Sequence, residues 1–145
     1  GLLYLTRGNA KRAASDMQAV VALSKVCDAT SDYAACYCII ALRLSNRAAE
    51  AEMFIKTYRK LPRRRKASVE VEYFLVKGST AVIDTRALTG NMQHRTRMLT
   101  LYGLDALARH DRVKAREYLT AVRNGGEPSM DEFALAMAYL KKLGY

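Results

Sequence analysis

The side chains that most often carry covalent or proton-transfer chemistry are few in this chain and poorly placed for it. His94 and His110 are its only histidines. Each stands beside an Arg or Asp at an expected helix boundary, where capping and solvation account for it. Asp84, Asp105 and Asp111 are single carboxylates on helices or at their starts. The chain contains no glycine-rich phosphate loop, no nucleophile elbow and no paired-histidine metal motif. Cys27, Cys36 and Cys38 are an odd set without zinc-like spacing. Cys36 and Cys38 sit in an apolar helical run on different helix faces, so buried thiols in a reducing, cytoplasmic setting are expected. These residues predict a non-catalytic protein with no cofactor and no metal.

Charge is the stronger signal. The 145 residues carry 24 Lys and Arg against 14 Asp and Glu, a formal net charge of +10. Such an excess favours acidic proteins, nucleic acid or anionic lipid as partners. The densest basic stretch begins at Arg59-Lys60 and continues from Arg63 to Lys66. It reads as a solvated linker and helix start, or as a contact with phosphate or carboxylates. Arg65-Lys66-Ala67-Ser68 also resembles a basophilic kinase site. No apolar run approaches the roughly 18 to 20 residues of a membrane span.

The elements that would position these residues are helical. Alanine, leucine, arginine and lysine dominate, and there are only two prolines. After an opening turn of helix at Gly1 to Leu5, Gly8-Asn9 predicts a turn, with Asn9 capping a helix from Ala10 to about Val26. Thr30, Ser31 and Asp32 offer caps for a helix to Leu44 that is apolar nearly all round and therefore central. Ser45-Asn46 turns the chain into a helix from Arg47 to Lys60, stopped by Pro62. Val69 to Val76 alternates like a strand, but a lone strand among helices would have no partner for its backbone, so helix is expected. Gly78-Ser79-Thr80 predicts a turn, Ala81 to Leu88 a short helix, and Gly90 a left-handed helix end. Met98 to Arg109 and Asp111 to Arg123 predict a helical hairpin, with Gly103, Ala106 and Ala115 allowing close approach. Ser129 and Glu132 predict a capping box for a last helix to Leu143.

Leu99, Tyr102-Gly103, Ala106, Ala115 and Leu119 resemble the tetratricopeptide repeat signature. Tyr4, Ala13 and Met17 match a later part of it, and Phe133, Ala136-Met137 and Leu140 its beginning. Leu42 to Ala51 and Phe74 to Ile83 keep the same interval, and successive units lie roughly 32 to 38 residues apart, near that family's period. The chain is therefore similar to a divergent tetratricopeptide array over residues 1–145, as one domain. The resemblance implies an all-α fold of antiparallel hairpins stacked as a right-handed α-solenoid with a concave groove. It implies a scaffold, adaptor or chaperone that holds a peptide or helix of a partner protein. In that register Tyr33, Ile40, Arg43, Arg65, Ser68, Glu72, Arg97, Thr100, Lys141 and Lys142 face the groove. Their cations and the Tyr favour an acidic or carboxylate-bearing segment. A nucleic-acid-binding module, or the partner-binding domain of a transcriptional regulator, is the alternative. The apolar ends, Leu2-Leu3-Leu5 and Phe133 to Leu143, predict either further repeats in a longer chain or self-association.

Overall fold

The computed structural model of the chain describes residues 1–24, 26–63, 66–75 and 89–145. Among these residues the protein is all-helical. The eight helices among the described residues are α1 (Leu2–Thr6), α2 (Ala10–Leu23), α3 (Ala29–Leu44), α4 (Ala48–Tyr58), α5 (Val69–Leu75), α6 (Met92–Ala108), α7 (Arg112–Gly125) and α8 (Asp131–Lys142). The chain divides into two compact units: Asn9–Val82 with Gly1, and Ile83–Tyr145 with Leu2–Gly8.

In the first unit α3 is the element the others pack on: α2, α4 and α5 each lie against it. Every residue from Ala34 to Leu42 is buried, as its all-round apolar sequence requires. Asn9 caps α2 by accepting from the Arg12 N–H. The helix stops at Leu23, short of Val26, because Ser24 turns extended and its N–H bonds the Val21 carbonyl. Beyond it the Cys27 N–H donates to the Pro62 carbonyl at 2.8 Å. The cap of α3 is Asp28, two to four residues before the expected Thr30, Ser31 or Asp32. Its carboxylate accepts from the Ser31 N–H at 2.9 Å, and its own N–H donates to Ser31 Oγ at 2.8 Å. Asp32 is thereby left inside the helix and faces the interior. Arg47 precedes α4 without a side-chain cap. Val69–Leu75 is helical, as the lack of a strand partner predicts. Val76, the turn expected at Gly78 to Thr80 and the helix expected from Ala81 to Leu88 lie outside the described residues.

In the second unit α6 and α7 form the expected hairpin, α8 packs on both, and α1 lies against α8. The hairpin is close because Gly103 has no side chain: a Cβ there would stand 2.6 Å from Leu119 Cδ2. His110, at φ 65°, turns the chain, and Asp111 caps α7 by accepting from the Lys114 N–H. α6 begins at Met92 and not at Met98, because Asn91 caps it through the His94 N–H at 2.8 Å. Gly90 does not take the left-handed conformation expected of it; the positive-φ glycines among the described residues are Gly8 and Gly144. The capping box of Ser129 and Glu132 does not form. Ser129 Oγ donates to Glu127 instead, while Glu132 is buried and pairs with Arg97 at 3.1 Å. At the apolar ends α1 and α8 pack together and Leu5 is fully buried, while Leu3 stays exposed. None of the described helices is long and apolar enough to cross a membrane.

Candidate functional site

Polar groups converge at one place in the first unit. The buried Asp32 carboxylate accepts from the Tyr58 hydroxyl at 2.8 Å and from the Arg63 guanidinium at 2.8 and 3.2 Å. Arg63 also lies 5.4 Å from the centroid of the Tyr58 ring. Burial pushes the Tyr58 phenol well above its ordinary range, and the nearby Asp32 adds to the shift. Burial likewise raises the Cys36 thiol, helped by Glu70 and Asp32, and pushes Cys38 up to about 12. A phenol and thiols held protonated are poor nucleophiles and poor bases. The Asp32, Tyr58 and Arg63 cluster ties the segment after α4 to α3. Among the described residues no group of three or more His, Cys, Asp or Glu side chains is placed to hold a metal ion.

The second unit carries a different arrangement, open to solvent. A recess of about 300 Å³ is lined by Leu107 at the end of α6, His110 of the hairpin turn, Arg112 at the start of α7, Tyr139 and Lys142 of α8, and Leu143 just after it. Lys142 Nζ stands 4.3 Å from the centroid of the Tyr139 ring. Partial burial lowers the Lys142 ammonium from its ordinary value and pushes the Tyr139 phenol up to about 12. The positive-φ turn at Gly8 passes beside Lys142, where a Cβ would meet Nζ at 2.8 Å. From this recess a row of arginines runs along α7. Arg112, Arg116 and Arg123 are exposed, and at 100° per residue they lie within about 40° of one another around the helix axis. Arg116 stacks 4.0 Å above the Tyr145 ring. Among the described residues none of Arg112, Arg116, Arg123, Lys141 and Lys142 has a carboxylate partner. Arg112 and Lys142 beside the Tyr139 ring and two leucines suit an anion with an apolar neighbour.

The residues expected to line a groove have varied placements. Ile40 and Thr100 are fully buried. Ile40 belongs to the all-round apolar stretch of α3, and Thr100 Oγ1 donates to the Glu132 carbonyl at 3.2 Å, so neither can present its side chain to a partner. Arg43 pairs with Glu52 at 3.0 Å, and Arg97 with Glu132, so both charges are engaged within the protein. Tyr33 is half-buried against the Tyr37 ring, 4.9 Å between centroids. Ser68 Oγ accepts from the Val71 N–H at the start of α5, and the half-buried Glu72 follows on that helix. Arg65 lies outside the described residues. Lys141 and Lys142 are exposed, and Lys142 enters the recess. Arg112, Arg116 and Arg123 are legible in the sequence only through their spacing of four and seven residues along one helix, and none of the expected groove residues lies on that helix. No protein-family model, curated protein or solved structure matches this chain.

Proposed function

We propose that this chain is a non-catalytic helical interaction module, tetratricopeptide-like in its hairpins, that binds an acidic segment of a partner protein. The observation that carries the reading is the row Arg112, Arg116 and Arg123, continued by Lys142. These are exposed cations without carboxylate partners among the described residues, and they lead into a recess with Tyr139, Leu107 and Leu143 in its wall. Arg donates in a planar fork that matches a carboxylate, and the apolar wall gives a neighbouring hydrophobic side chain somewhere to leave water. An interface of this kind combines a desolvated anchor with a charged rim.

The test is titration of a labelled acidic peptide containing leucine, followed by fluorescence anisotropy, with the chain and with its triple variant Arg112→Gln, Arg116→Gln, Arg123→Gln. Saturable binding that the triple variant loses by about tenfold or more supports the reading. An unchanged affinity in the triple variant contradicts it. Competition by duplex RNA, with affinity collapsing between about 50 and 200 mM salt, makes the basic row a phosphate contact and contradicts it too.

A further inference from the structure

The spacing of the arginine row limits the conformation of what it can bind. Resting on the acidic-partner reading above, we propose that the occupant is an α-helix that lies along α7, with acidic residues separated by four and seven positions and an apolar residue beyond the Arg112 end. At 1.5 Å rise per residue, Arg112 and Arg116 are about 6 Å apart along the axis, and Arg116 and Arg123 about 10 Å. A second helix laid alongside repeats that spacing: residues i, i+4 and i+11 also fall within about 40° on one face, so three carboxylates meet three guanidiniums at once.

An extended segment cannot do this. With about 3.3 Å per residue, the first two arginines match positions i and i+2, which share a face, but the third matches roughly i+5, on the opposite side of the strand. One of the three cations would then look at the wrong face. A helix also suits the surroundings of the row. Arg112 and Arg116 border the end of α8 through the recess and through Tyr145, so an incoming helix would seat against two elements. The recess lies one short step past Arg112 and is walled by Leu107, Tyr139 and Leu143. It receives the apolar side chain one turn beyond the acid that meets Arg112. Lys142 at its rim adds a fourth cation.

The experiment uses hydrocarbon-stapled, alanine-rich helical peptides with three glutamates and one leucine, with the whole chain as receptor. One set spaces the glutamates by four and seven residues, in either order, with the leucine one turn beyond the glutamate at the four-residue end. The control has the same composition with glutamates at i, i+2 and i+5, which scatters them around the helix. The better of the first set is expected to bind about tenfold tighter than the control. Arg123→Glu is expected to weaken it by a similar factor, and replacing the corresponding peptide glutamate by lysine is expected to restore it. Equal affinity for both spacings, or no rescue by the charge swap, overturns the helical register and leaves the acidic-segment reading standing. Failure of every peptide to bind overturns both.

Discussion

Asp32 shows what a single buried carboxylate requires. Its charge is removed from water and is compensated by the Tyr58 hydroxyl and the Arg63 guanidinium. Removing one partner leaves much of the desolvation cost in place, so Arg63→Ala is expected to lower stability by about 3 kcal/mol. Tyr58→Phe is expected to lower it by roughly 1.5 to 3 kcal/mol, the worth of a hydrogen bond to a charged group. Urea denaturation of both variants checks these values. The thiols make a second residue-scale prediction. Cys36 and Cys38 are buried and held protonated, so iodoacetamide at mildly alkaline pH is expected to leave both unmodified until denaturant is added. The sign of the pH dependence follows. A folded thiol raised from 9.0 to about 12 keeps its proton where the unfolded chain has lost it. Stability is therefore full below about pH 9 and falls as the pH rises toward 12, with Tyr139, raised from 10.0 to about 12, adding in the same direction. Thermal melts across that range are expected to show a falling Tm.

At the scale of the element, the α6–α7 hairpin depends on Gly103. Its missing side chain leaves room for the fully buried Leu119, whose Cγ and Cδ2 would stand 2.7 and 2.6 Å from an added Cβ. Gly103→Ala is expected to cost about 1 to 3 kcal/mol through overpacking, although alanine is the better helix former. A double variant with Leu119→Ala is expected to deviate from additivity, because the two sites share one space. This hairpin was legible in the sequence because small residues at helical spacing on both arms can have few other purposes. The caps were less legible. Local spacing favoured Thr30 to Asp32 and the Ser129–Glu132 box, but Asp32 and Glu132 were claimed by distant partners, Arg63 and Arg97. Pairings across roughly thirty positions have no local signature, and they override a cap worth about 1 kcal/mol. The same blindness applies to the expected groove. Sequence spacing could place Arg43 and Arg97 on helices, but not reveal that Glu52 and Glu132 already neutralise them. The row on α7 escapes for the opposite reason: its spacing is visible, but the groove residues implied by the repeat resemblance include none of α7.

At the scale of the whole molecule, the net charge of +10 is an average over cations engaged internally and cations left to solvent. In the second unit Arg97 and Arg109 are held by the buried carboxylates of Glu132 and Asp105. Arg7, Arg95, Arg112, Lys114, Arg116, Arg123, Lys141 and Lys142 are exposed there without a carboxylate partner among the described residues, and of these Arg112, Arg116 and Arg123 share one face of α7 that leads to Lys142. The proposed interface therefore has a location as well as a sign. The most direct measurement is amide chemical-shift mapping of the isotopically labelled chain during titration with an acidic leucine-containing peptide at about 150 mM salt. Shifts clustered on Leu107 to Arg116, on Arg123 and on Tyr139 to Tyr145, with the helices of the first unit unmoved, are the predicted result. Shifts centred instead on Arg43 and Tyr33, or spread evenly over every exposed cation, would contradict it.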